Sequence, residues 1–138
     1  MGQSTDAILA YAIDPGWDEG EEPWAETEQD PDEWLLDALG VLPAYPEAKD
    51  REHWRAYFKA KREAEEAAPV ELVEHCHHEY TMYLLAVRGT RVRNARGDVT
   101  DVTDTLGTAP DASGLLSFCE AQGIEDPRPR WLLVSYWG

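Results

Sequence analysis

The first 48 residues of this 138-residue chain contain no lysine or arginine. The same stretch holds thirteen Asp and Glu residues, whereas the remaining 90 residues hold fifteen acids and twelve bases. Thirteen of the sixteen net negative charges therefore lie in the first third of the chain. Because a concentrated field of one sign acts on binding partners more than on folding, this asymmetry is the strongest functional signal in the sequence.

Features of several other protein classes are also missing. Two cysteines, Cys76 and Cys119, are too few for a disulfide framework, so we expect both to be reduced. No apolar run approaches the roughly 20 residues that cross a bilayer, and we expect no signal peptide because the N-terminus lacks a basic and an apolar region. A net charge of −16 argues against contact with anionic membranes or directly with nucleic acid, since both require clustered Lys and Arg.

Motifs for catalysis are absent as well. The chain has no glycine-rich phosphate loop, no zincin helix motif and no nucleophile elbow. Neighbouring carboxylates carry no information in a chain with 28 acidic residues. We therefore expect a protein that is not an enzyme and that holds no cofactor or metal ion.

Hydrophobic patterning predicts a single α+β domain over residues 1–138, with a four- or five-stranded, mixed or mostly antiparallel sheet. The predicted strands cover residues 7–13, 70–76, 80–87 with a continuation over 91–95, 99–102 and 131–137. The second and third form a hairpin, and Gly89 marks a bulge past which the ribbon continues. The last strand is apolar on both faces, so we expect a central strand that is covered on both sides.

Three helices are predicted, over residues 31–39, 47–67 and 109–122. The first has the clearest signals, because Asp30 is a good N-cap and Glu33 completes a capping box. Pro31 suits the first helical position, and Gly40 stands where a helix commonly ends in a left-handed residue.

An acidic loop, residues 16–29, separates the first strand from the first helix. Carboxylates spaced along a surface can imitate the phosphates that a nucleic-acid-binding protein recognises, and tryptophans can anchor an interface. The loop therefore predicts a binding surface for a basic protein. The expected contact residues are Trp17, Asp18, Glu19, Glu21, Glu22, Trp24, Glu26 and Glu28. The alternative is a solubilising, partly disordered loop without a partner.

Histidine and cysteine cluster in the predicted hairpin, at His75-Cys76-His77-His78. Structural zinc takes ligand pairs that are separated by two to four residues, which this run alone does not supply. On a regular strand His75 and His77 share one face and Cys76 points to the other. A metal- or ligand-binding regulatory domain centred on His75, Cys76 and His77 is the alternative function.

One basic stretch contains Arg88, Arg91, Arg93 and Arg96. Exposed arginines on a ribbon can contact phosphates. Given the charge of the whole chain, we favour pairing with the protein's own acids or protection of a strand edge.

Distinctive segments stand at both ends and in the middle of the chain: Ser4-Thr5-Asp6-Ala7-Ile8-Leu9-Ala10-Tyr11, Val70-Glu71-Leu72-Val73, His75-Cys76, Arg96-Gly97-Asp98-Val99 and Arg130-Trp131-Leu132-Leu133-Val134-Ser135-Tyr136-Trp137-Gly138. Together they resemble a family of small, acidic, uncharacterised proteins from actinobacteriophages. The resemblance implies a phage accessory protein in the host cytoplasm, and it transfers no functional residue. Together with the charge pattern, it predicts an inhibitor of a basic, nucleic-acid-binding host or defence protein, of the anti-CRISPR or anti-restriction type.

Overall fold

Five strands and four helices lie along residues 5–137, the part of the chain that the computed structural model describes. The elements are β1 (Thr5–Ile13), α1 (Pro31–Ala38), α2 (Arg51–Ala67), β2 (Val70–His77), β3 (Thr81–Val87), β4 (Val92–Asn94), α3 (Thr103–Leu106), α4 (Ser113–Ala121) and β5 (Arg130–Trp137). The predicted α+β fold with a mixed sheet is confirmed. Ser4 and Gly138, which belong to the family resemblance, lie outside the described residues.

Helix α1 has the ends that its sequence predicts. The Asp30 side chain accepts a hydrogen bond from the Glu33 backbone N–H at 2.8 Å, and Pro31 is the first helical residue. Gly40 has a φ of 75°, and the Val41 N–H donates to the Leu36 carbonyl at 2.9 Å. Local side-chain chemistry therefore determines both ends of this helix.

The other helices depart from prediction in position and number. Helix α2 begins at Arg51 rather than at residue 47, because the Asp50 side chain caps it by accepting from the His53 N–H at 2.9 Å. Helix α4 begins at Ser113, and Asp111 accepts the Ser113 N–H at 3.0 Å. Described residues thus contain four helices where three were predicted.

The fourth helix, α3, adjoins a segment for which a strand was predicted. The prediction of a strand over 99–102 is wrong, since these residues join no strand in the described part of the chain. The Asp101 side chain instead accepts from both the backbone N–H (2.9 Å) and the hydroxyl (2.7 Å) of Thr103. Such short-range hydrogen bonds compete with strand pairing and lead into the single turn of α3.

Strand β1 joins the two halves of the sheet. One edge pairs antiparallel with β5, from Thr5↔Trp137 to Ala12↔Arg130. Its other edge pairs with β4, for example at Leu9↔Val92, and then with β3 at Ala12↔Ala86. The register with β1 shifts by three residues between β3 and β4, at a turn around Gly89 in which the Thr90 N–H donates to the Val87 carbonyl at 3.3 Å. The ribbon continues past Gly89 as predicted, but through a turn rather than a one-residue bulge.

Strands β2 and β3 form the predicted hairpin, paired from Val70↔Val87 to Cys76↔Thr81. Beyond it, β2 pairs in parallel with β5 at Cys76↔Tyr136 and His77↔Trp137. The strand pairings therefore make a closed circuit, β1–β3–β2–β5, and the hydrophobic core lies on its two sides. The inner cluster contains Ile8, Ala10, Ala12, Val73, Leu84 and Ala86, with Leu132, Val134 and Tyr136 packed against it.

The second cluster lies between the β2–β3 hairpin and the helices. It contains Ile13, Trp34, Leu35, Val70, Leu85, Leu115, Phe118 and Cys119. Because α1 and α4 contact the hairpin, they leave the outer face of β5 uncovered. The prediction of a central strand is confirmed for β5, but its coverage on both sides is wrong: Leu133 is 72% exposed.

Gly114 in α4 lies against Pro69 at the start of β2. A Cβ atom added to Gly114 would come within 2.6 Å of the Pro69 Cβ. We expect Gly114→Ala to destabilise the protein by about 1–3 kcal/mol, because overpacking exceeds the gain of up to about 1 kcal/mol that alanine brings to a helix. Urea denaturation measures the change, with Gly107→Ala as a less crowded comparison. A more stable Gly114→Ala protein would contradict this contact.

Candidate functional site

Consecutive turns shape the acidic loop. The Asp14 side chain accepts the Gly16 N–H at 2.9 Å where β1 ends. Three further backbone hydrogen bonds, each of 2.9–3.0 Å, close turns along the loop: Glu21 N–H to Asp18, Ala25 N–H to Glu22, and Thr27 N–H to Trp24. Gly16 and Gly20 have φ values of 72° and 83°, a conformation that glycine adopts without strain. The loop therefore has a defined path without forming a helix or strand.

Two tryptophans fasten the loop to the body of the protein. Trp17 and Trp24 lie edge-to-face with ring centroids 5.4 Å apart, and both contact buried Trp34 of α1, at 5.8 and 5.4 Å. Trp24 also packs on Tyr83 of β3 at 4.8 Å. Each such aromatic pair contributes roughly 0.5–1.5 kcal/mol beyond its buried area. The indole rings that we expected at a partner contact thus pack against the core instead.

The carboxylates of the loop face outward. Asp18, Glu19, Glu21, Glu26 and Glu28 are exposed and Glu22 is half-buried. Glu22 also accepts the Gly20 N–H at 3.0 Å. Within residues 5–137, no Lys or Arg side chain forms a salt bridge with these six carboxylates. The loop therefore presents uncompensated negative charge.

Helix α1 extends this negative surface. Asp32 and Asp37 are exposed on it, and the Gln29 side-chain amide donates to Asp37 at 3.0 Å, which ties the end of the loop to the helix. Asp30 is partly compensated by Lys61 of α2, with Nζ and Oδ2 3.8 Å apart.

The negative field reaches Tyr83, on which Trp24 packs. Burial, followed by the charges of Glu74, Glu22 and Asp32, raises the pKa of Tyr83 to about 12. The phenol therefore stays neutral at physiological pH.

Arginines of the basic stretch form salt bridges with acids of the same chain. Arg88 and Arg91 contact the two carboxylate oxygens of Glu71 at 3.4 and 3.7 Å. Arg93 binds Asp6 at 2.6 Å. The interpretation that these arginines pair with the protein's own acids is confirmed for these three residues.

The histidine hairpin is not a regular strand at its end. Cys76 has a φ of 77°, which interrupts the regular strand geometry on which the expected orientations of His75 and Cys76 rest. Both residues line one open depression, whereas His77 stacks on His78 with centroids 4.3 Å apart. In the part of the chain that the structure describes, no three His, Cys, Asp or Glu side chains could hold a metal ion together. A metal centre on His75, Cys76 and His77 therefore has no complete ligand set.

The inward role of the loop tryptophans is the main feature that sequence reasoning missed. The available signal was that Trp17 and Trp24 flank Trp34, which stands in the apolar face of a capped helix. Aromatic residues near a buried tryptophan pack against it more readily than they remain in water.

No family profile matches this sequence, and searches of curated proteins and of solved structures find no significant match. The likeness to actinobacteriophage proteins thus stays a prediction. Within residues 5–137, no helix has both the length and the apolar composition that crossing a membrane requires.

Proposed function

We propose that this protein is a non-enzymatic inhibitor that binds a basic surface of a host or defence protein through its acidic loop. The observation that carries the proposal is that the tryptophans and the carboxylates of the loop point to different surroundings. Tryptophans fasten it to the core, while its exposed carboxylates have no basic partner within residues 5–137. Because the backbone that carries these charges already has a defined path, binding needs little additional ordering of the loop.

A groove that binds nucleic acid is the partner whose chemistry fits best. It presents clustered Lys and Arg to a row of phosphates, and a row of fixed carboxylates competes for the same groups. Long-range attraction speeds the encounter and makes the complex sensitive to salt. Inhibition of a CRISPR effector or a restriction enzyme in the host cytoplasm is the most specific form of this proposal.

Neutralising the loop tests the proposal. The variant replaces five exposed acids by their amides: Asp18→Asn, Glu19→Gln, Glu21→Gln, Glu26→Gln and Glu28→Gln. We expect affinity for a partner captured from host lysate to fall roughly 100-fold, at about 0.5 kcal/mol for each charge. Thermal stability should stay unchanged or rise, because mutual repulsion is relieved. Affinity is measured at several salt concentrations, and the slope against salt should decrease with it.

A control variant has the same change in net charge but keeps the acids of the loop. It distinguishes an effect of the loop on binding from an effect of the total charge. It replaces five exposed acids elsewhere: Glu52→Gln, Glu63→Gln, Glu66→Gln, Glu120→Gln and Glu125→Gln. This control should bind nearly as tightly as the wild type. Equal loss in the two variants, or full binding by the loop variant, would refute a contact through the loop.

A further inference from the structure

The outer face of β5 is apolar and open. Leu133 is 72% exposed and Trp137 is 44% exposed, although both belong to a strand in the middle of the sheet. Met82 of β3 is 42% exposed and lines the same depression as Leu133. Exposed apolar side chains that lie close together, rather than singly, are typical of an interaction surface.

Two depressions flank Leu133. One has a volume of about 490 Å³ and reaches His75 and Met82. The other has a volume of about 390 Å³ and is lined largely by apolar groups, including Leu9 and Trp131. Leu133 and Ala7 line both depressions, so the Leu133 side chain stands on the ridge between them.

We propose that this face binds a second copy of the same chain, with Leu133 of each copy inserted into a depression of the other. A twofold dimer requires one patch to carry both the projecting group and the hollow that receives it. The outer face of β5 meets this requirement. The contact is independent of the acidic loop and of the function proposed for it.

Charge favours a second copy over a basic partner at this face. No Asp, Glu, Lys or Arg lines either depression, although the chain has a net charge of −16. His75 adds no charge at neutral pH, because burial lowers its pKa from the usual value. A basic partner would find no carboxylate here, whereas an equally neutral apolar face can be buried without stranding a charge.

The mass of the protein in solution tests the dimer. Sedimentation and light scattering of the wild type at about 100 μM should give twice the chain mass of 15.6 kDa. Leu133→Glu should give the monomer mass, and Leu133→Ala should weaken the dimer at least about tenfold, because it removes the projecting group without adding charge. At concentrations low enough for the wild type to be monomeric, both variants should keep its melting temperature, since Leu133 is 72% exposed in the single chain.

Phe58→Glu is the matched control, because Phe58 is 57% exposed on α2 and should leave the dimer intact. Raising salt should preserve or strengthen the dimer by screening repulsion between the two acidic chains, opposite to its effect on binding through the loop. The proposal is overturned by a monomeric wild type, by a dimeric Leu133→Glu variant, or by dissociation of Phe58→Glu to the same extent.

Discussion

Deletion of residues 131–138 is expected to abolish cooperative folding. The deletion removes nearly all of β5, and with it the long pairing along one edge of β1 and the short parallel pairing with β2. It also removes Leu132, Val134 and Tyr136 from the inner cluster. The loss exceeds the roughly 5–15 kcal/mol by which small domains are stable. Circular dichroism melts of the soluble fraction measure the result.

Two neighbouring substitutions in β5 leave the chain length unchanged and test the packing of the strand. Val134→Asp places a carboxylate against the inner cluster, where Val134 is half-buried, and should cost about 1–3 kcal/mol. Leu133→Asp, one residue earlier, faces outward and should change the free energy of unfolding of the monomer by less than about 1 kcal/mol. A truncated protein that melts cooperatively, or equal effects of the two aspartates, would show that the closed circuit of strands is wrong.

Trp34→Ala is expected to have the next largest effect, lowering the free energy of unfolding by about 3–5 kcal/mol. Trp34 is buried, and its ring contacts Trp17 and Trp24 of the loop as well as Phe118 of α4. Removing it leaves a cavity where the loop, a helix and the β2–β3 hairpin meet. Urea denaturation gives the magnitude.

The same substitution should release the acidic loop. A protease that cleaves after glutamate should cut the loop of Trp34→Ala faster than it cuts the wild type, because Trp17 and Trp24 lose a shared support. Trp54→Ala is the control, since the Trp54 ring contacts Tyr45, Tyr57 and Phe58 and makes no ring contact with Trp17 or Trp24 within residues 5–137. It should cost less stability and leave cleavage of the loop unchanged. Equal cleavage of wild type and Trp34→Ala would mean that the tryptophans do not hold the loop.

The sequence predicted correctly those features that depend on residues close together in the chain. Asp30, Pro31 and Gly40 act within one turn of the chain, so the ends of α1 could be read from them. The β2–β3 hairpin followed from two apolar runs separated by three polar residues. Helix α2 began later than predicted because Asp50, rather than the residues after Pro46, captures the first free N–H groups.

Features that depend on distant neighbours could not be read from the sequence. Apolar residues on both faces of β5 indicate a strand that is suited to burial, but they do not say whether a helix of the same chain or another molecule covers Leu133. The loop tryptophans posed the same difficulty, because an indole ring suits a core and an interface equally. Exposure of the loop carboxylates was easier to predict, since unpaired acids are seldom buried.

The pairing of β1 with β5 also bears on the order in which the protein folds. Thr5 pairs with Trp137, so β1 is synthesised long before the strand with which it pairs. Contacts between residues so far apart in sequence slow folding, because a long loop must close before they form. The β2–β3 hairpin closes a much shorter loop, so it is the natural nucleus. Until β5 is synthesised, the apolar β1 has no partner strand on that edge. The strongly acidic loop that follows β1 makes nascent chains repel one another, and this repulsion opposes their aggregation.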